Sequence, residues 1–144
     1  MNKYFIFFLL VSLTGCVAVK VAPESSSTAV SESAGVKKNL TNVRQLTQGM
    51  IRQGVEEIMG EYTAIGFKAN DEVPGTYETI TLKNPYREEV LAVGDKQYEV
   101  IYYLSSIQLA DGLVADDELT PVVFENGQMI GKGQDFLFKL KAGM

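Results

Sequence analysis

Histidine is absent from all 144 residues, and cysteine occurs once. The first absence removes the commonest general base, the histidine-dependent nucleophile triads and the commonest metal ligand together. A single cysteine excludes an intramolecular disulfide and any cysteine-cluster zinc site. Basic residues are also scarce: 13 Lys and Arg stand against 18 Asp and Glu, for a net charge of -5. Neutralising phosphates requires clustered positive charge, so no nucleic-acid partner is expected. There is one long apolar run, at 4–13, too short to cross a bilayer core of about 30 Å as a helix. What remains is ordinary for a folded protein. A hydrophobic fraction of 46% is far above that of disordered chains, and the length fits one domain.

The opening MNKYFIFFLLVSLTGC places Lys3 before the apolar run and small residues after it, the layout of a secretory leader. Leu13-Thr14-Gly15-Cys16 resembles the lipobox of bacterial lipoproteins, which is cut before the cysteine and acylated on its thiol. That resemblance implies a signal peptide over 1–15, cleavage between Gly15 and Cys16, and a lipid anchor with palmitate-type chains on Cys16. Each buried acyl CH2 contributes roughly 0.8 kcal/mol, so two or three chains hold a protein at a membrane without a spanning helix. By the sorting rule of such lipoproteins, Val17 after the cysteine, where Asp would retain the protein, implies the periplasmic face of the outer membrane.

Residues 16–38 read as a flexible tether. Ser25, Ser26, Ser27, Thr28, Ser31 and Ser33 crowd its middle, beside Pro23 and Gly35 and without an aromatic. Such a segment cannot bury enough apolar surface to offset its chain entropy. As a coil it spans roughly 25 Å on average. Residues 39–144 are then the domain. Leu40, Val43 and Leu46 recur on one helical stripe with Gly49 placed to end it, and Ile51, Val55, Ile58 and Met59 form a second stripe closed by Gly60. Gly54 inside the second helix costs about 1 kcal/mol relative to Ala, which points to a close approach of another backbone.

From Tyr62 onward the period shifts toward two. Strands are predicted at 76–82, 88–93, 96–104, 121–125 and 128–132. Asn84-Pro85 confines the first of them to an edge or a bend. Gly94-Asp95 and Asn126-Gly127 mark two-residue hairpin turns, the second needing positive φ at both residues. In 98–104, Tyr98, Val100, Tyr102 and Leu104 share one face, and Glu99, Ile101 and Tyr103 the other. Both faces are largely apolar, which places this strand centrally. Phe136, Leu137 and Leu140 form an apolar tail, helix or strand. The fold class expected is α+β: two short N-terminal helices packed on one face of an antiparallel sheet of three to five strands.

Leu46-Thr47-Gln48-Gly49-Met50, followed by Val55, Ile58, Met59 and Gly60, is similar to the opening of the SmpA/OmlA (BamE-like) outer-membrane lipoproteins. The tract from Asp117 through Leu119-Thr120-Pro121-Val122-Val123-Phe124 to Asn126-Gly127 and Gly131-Lys132-Gly133 is closer to a related lipoprotein domain family of unknown function. The resemblance spans roughly residues 40–138. It implies the same helices-on-sheet fold and an envelope protein partner, with outer-membrane assembly as the role to test. A departure is Gly60-Glu61-Tyr62, where the assembly lipoprotein carries a proline.

No catalytic constellation emerges. Glu56-Glu57 and Glu88-Glu89 are neighbours whose side chains face apart on a helix or strand. Ser105-Ser106 has no histidine or nucleophile elbow. Asp111, Asp116, Asp117 and Glu118 could offer oxygen ligands to Ca²⁺, yet they lack the calcium-loop spacing and read as a solvated run. Gly131-Lys132-Gly133 is too short for a phosphate loop and reads as strand or bulge glycines. No cofactor, metal or enzymatic activity is therefore expected. Tyr98, Tyr102 and Tyr103 are either core residues or an exposed aromatic patch for a partner. The expected function is that of a lipid-anchored, non-enzymatic interaction or scaffold module. The alternative is a small-ligand or metal-binding lipoprotein, with a pocket lined by Tyr98 and Tyr102 between helices and sheet.

Overall fold

The computed structural model describes residues 33–108 and 112–143. The expected leader, the Cys16 anchor, most of the tether and Asp111 lie outside the described residues.

The chain is α+β, with three helices and two antiparallel sheets. Helix α1 (Ala34–Gln45) begins inside the segment expected as tether, so residues 34–38 are helical rather than flexible. Its start is fixed by tertiary contacts. Ser33 Oγ accepts from the Val36 N–H at 3.3 Å and donates to Ala64 O at 2.6 Å, a helix cap that is also a cross-link. Val36 is fully buried, and a Cβ on Gly35 would sit 2.2 Å from Ala64 O. Only glycine lets the first turn lie this close to a strand. The helix ends at Gln45 with Leu46 as an extended C-cap, so Gly49 is not its terminator. Lys132 closes the end instead: its Nζ donates to the carbonyls of Val43 (2.6 Å), Arg44 (3.2 Å) and Leu46 (2.7 Å). A cation suits the negative end of the helix dipole, although burial draws the Lys132 ammonium down from its ordinary pKa.

Helix α2 (Arg52–Met59) ends as expected at Gly60, φ +74°. Val55 and Met59 are buried, while Ile51 stands exposed at the N-cap. Gly54 corrects the reading given above. An added Cβ would meet only Ile51 Cγ1, at 3.8 Å, so no backbone approaches it.

Strands β1 (Tyr62–Ala69) and β2 (Tyr77–Lys83) form a hairpin sheet of their own, with a bulge between Ala64 and Gly66. After a cis Asn84-Pro85 bond, β3 (Arg87–Val93), β4 (Lys96–Leu104), β5 (Leu119–Glu125) and β6 (Gln128–Lys132) form a four-stranded sheet in the order β3-β4-β5-β6. The single expected sheet is thus divided in two, since β2 turns away at the Pro85 bend. The turn at Asn126-Gly127 has φ of 51° and 77°, the positive pair the dipeptide demands. Val93 pairs with Lys96 across Gly94-Asp95, also as expected.

β4 is internal and buried on both faces. Ile101 and Tyr103 pack with Val122, Phe124 and Met129 beneath Val43, Leu46, Val55 and Met59 of the first two helices. Tyr98, Val100, Tyr102 and Leu104 pack on the opposite face with Leu119, Val123, Val36 and Leu137. The apolar tail supplies that second cover as helix α3 (Gln134–Lys141). Helices therefore lie on both faces of the main sheet, not on one. The closeness of α3 rests on Gly131, where a Cβ would be 2.4 Å from the Phe136 ring.

A buried amide knot joins the two sheets. Asn39 Nδ2 lies 2.6 Å from Thr63 Oγ1, 2.9 Å from Leu104 O and 3.2 Å from Asn84 Oδ1. Asn84 Nδ2 donates back to Asn39 Oδ1 at 3.1 Å and to Met59 O at 3.0 Å. Buried polar atoms are costly unless bonded, so this set defines one relative placement of α1, α2, β1 and β4.

Candidate interaction surface

The tyrosines singled out from sequence are core residues. Tyr98, Tyr102 and Tyr103 are all buried, so they form no exposed patch. Tyr102 donates to Glu89 Oε1 at 2.6 Å, and the Arg87 guanidinium stacks 4.2 Å from its ring centroid. Burial, followed by the Glu89 contact, pushes the Tyr102 hydroxyl up to about 12. The Tyr103 hydroxyl is buried without a hydrogen-bond partner, and burial raises its pKa well above the ordinary tyrosine value. Two surface hollows reach Tyr98 and Tyr102 separately. One touches Tyr98 with Phe124 and Gly127; another touches Tyr102 with Arg87 and Asp116.

Within the acidic run Asp116 and Asp117 are exposed, as expected, but Glu118 is structural. Glu118 is buried, and its carboxylate accepts the backbone N–H groups of Gln108 and Ala115, the latter at 3.0 Å. Its carbonyl accepts from Ser105 N and Ser106 N. Asp116 pairs with Arg87 at 2.9 Å. No group of three metal-ligating side chains occurs among the described residues. Ser105 is likewise internal, its Oγ 2.6 Å from Thr120 Oγ1. Gly131 and Lys132 end β6, the strand position expected, and the tract also leads into a helix. Gly133 is the N-cap of α3, while the Lys132 ammonium points to α1 instead.

Glu56 and Glu88 do face away from Glu57 and Glu89, but they converge on a residue the sequence reading passed over. Arg52 bonds Glu56 (2.7 Å), Glu88 (2.7 Å) and Glu99 (3.1 Å), drawing α2, β3 and β4 together. The three carboxylates hold its guanidinium charged far above any accessible pH. An opposite charge at helical spacing, Arg52 to Glu56, was the only local sign of this cluster.

The exposed aromatic surface lies on the β1–β2 hairpin. Phe67 pairs with Thr79, Ala69 with Tyr77, and Tyr62 with Lys83. Opposed residues share a face, and the bulge restores the alternation, so Tyr62, Phe67 and Tyr77 all stand on one side. They are 65%, 71% and 75% exposed. The other side holds Thr63 and Leu82 against the body, then the Lys68–Glu78 pair at 2.6 Å. An amphipathic ribbon normally turns its aromatic side inward; this one turns it to solvent.

The class defined by these features is a small α+β domain that carries an exposed aromatic hairpin and, among the described residues, shallow surface grooves. Residues 78–138, from β2 into α3, match the family described as "Protein of unknown function (DUF3192)". The match covers the whole four-stranded sheet but neither α1, α2 nor β1. No curated protein and no solved structure matches the chain.

Proposed function

We propose that this chain is a lipid-anchored interaction module of the bacterial cell envelope, held at the periplasmic face of the outer membrane through Cys16. The finer reading is that it acts in envelope or outer-membrane protein assembly, as the SmpA/OmlA resemblance implies. The observation that carries the interaction role is the solvent-facing trio Tyr62, Phe67 and Tyr77. Clustered exposed aromatics mark contact sites, because they bury a large area at little cost in side-chain entropy. The leader-like residues 1–16 support the anchor. The anchor supplies the mechanism: confinement to a membrane raises effective concentration and turns a three-dimensional search into a local one.

The test is in-cell photo-crosslinking from position 67, with mass spectrometry of the captured proteins and Cys16→Ala as the unanchored control. Recovery of outer-membrane assembly components, lost in the control, is the expected result. Recovery of nothing above an uncrosslinked sample would sink the interaction role. Capture that persists unchanged in Cys16→Ala would sink the anchoring part alone.

A further inference from the structure

The four-stranded sheet has one closed edge and one open edge. Outside β6 the segment 49–52 completes the ladder: Gly49 N–H donates to Met129 O and Met129 N–H to Met50 O, both at 2.8 Å, and Arg52 N–H donates to Gly127 O at 3.2 Å. On the other side, β3 pairs with β4 alone, and no backbone hydrogen bond reaches its outer edge among the described residues. The two-residue turn makes Val93 and Lys96 a hydrogen-bonded pair. By alternation Leu91, Glu89 and Arg87 also bond inward, and the N–H and C=O groups of Glu88, Val90 and Ala92 point away from the sheet. Edge strands are usually blunted by charge or proline. Here Arg87, Glu88 and Glu89 guard the first half only. Residues 90–93, Val-Leu-Ala-Val, carry no charge, and Val90 is 69% exposed.

The surroundings of this edge are acidic. Two hollows of about 270 and 530 Å³ run beside it, and Glu56, Glu57, Glu61, Glu88, Glu89 and Glu99 line them against only Arg52 and Lys83. Arg52 is already engaged by three of these carboxylates, while Glu57 and Glu61 form no ion pair among the described residues. A second copy of this chain would bring the same carboxylates face to face, and like charges across an interface are costly. A basic strand would instead meet attraction on the side of Glu57, Glu61, Glu88 and Glu99.

We propose that the outer edge of β3 takes up an extended peptide segment in which Lys or Arg alternates with apolar residues, adding it as a fifth strand. The main chain of the segment bonds to Glu88, Val90 and Ala92. Its basic side chains lie on the face of Glu88, Val90 and Glu99 and reach toward Glu57 and Glu61, and its apolar side chains lie on the opposite face beside Leu91 and Val93. Backbone pairing supplies affinity in this mode, and side-chain alternation supplies selectivity. The surface is separate from the aromatic hairpin, so this proposal and the envelope role fail independently.

The experiment titrates the full-length chain in detergent micelles with a fluorescent, end-blocked peptide of about eight residues alternating Lys and Val. Saturable binding is expected, weakening roughly tenfold between low and high salt. An N-methylated version lacking alternate amide protons should bind at least about tenfold more weakly, as should the unmodified peptide to Val90→Lys. Val90 is exposed and its N–H faces outward, so Val90→Lys should keep the wild-type melting temperature. Equal binding of methylated and unmethylated peptides, or undiminished binding to Val90→Lys, would overturn strand addition. So would equal binding of a Glu–Val peptide, or no saturable binding at millimolar concentration. A dimer seen by sedimentation and dissolved by Val90→Lys, without peptide binding, would assign the edge to a second copy and overturn it too.

Discussion

At the scale of single residues, three glycines separate what helix propensity says from what packing allows. Gly54 occupies a helix interior with room around it, Gly35 a helix turn against the Ala64 backbone, and Gly131 a strand under the Phe136 ring. Gly54→Ala should therefore stabilise the protein by about 0.5–1 kcal/mol, since it reduces unfolded-state entropy and fits the native backbone. Gly131→Ala should destabilise it by about 1–3 kcal/mol, because either Phe136 or α3 must move. Opposite shifts in urea midpoint at unchanged slope would verify the pair; a destabilised Gly54→Ala would show an approach that the packing does not contain. Tyrosine ionisation offers a second check. The folded Tyr102 pKa, about 12, lies above the ordinary value of about 10. Its neutral form thus contributes stability fully below about pH 10, and that contribution is lost as pH rises from about 10 to 12. In a tyrosinate-absorbance titration, Tyr102 and Tyr103 should ionise only well above the ordinary tyrosine value. Reversible ionisation of every tyrosine near pH 10 in a folded protein would contradict the burial.

At the scale of elements, the local parts were readable because their causes are local. Asn126-Gly127 demands its turn, Gly60 ends α2, and the alternation at 98–104 makes a strand buried on both faces. What escaped depends on residues far apart in the chain. The start of α1 is set by Ser33 reaching Ala64, not by any periodicity in the serine-rich segment. Tyr98, Tyr102 and Tyr103 could not be divided between core and surface from spacing alone. The answer depended on α1 and α2 covering Tyr103, and on α3 with the start of α1 covering the face of Tyr98 and Tyr102. The hairpin yields a prediction at this scale. Residues 67–81 are exposed apart from half-buried Asn70 and stabilised mainly by their own cross-strand bonds, so their amides should exchange much faster than those of β4 and β5. Hydrogen-exchange mass spectrometry would show this; protection of the hairpin equal to that of β4 would mean that its aromatic side is covered in solution.

At the scale of the whole molecule, composition and order of elements determined the class. The lack of histidine, the single cysteine and the acidic balance narrowed the chemistry before any folding, because those are properties of side-chain inventory. Helical stripes followed by alternating strands specified an α+β chain, because each periodicity is imposed by the geometry of its own backbone. Only the tertiary structure decided how surfaces were apportioned. Bending at Asn84-Pro85 detaches the first hairpin from the main sheet and leaves Tyr62, Phe67 and Tyr77 in solvent. Packing of α2 beside β3 gathers Arg52 with three glutamates. The bonds from 49–52 close one sheet edge while β3 stays open. The physical reason is common to all three: a side chain's exposure and charge environment depend on which distant segment lies over it, and that is settled by the packing of the whole chain.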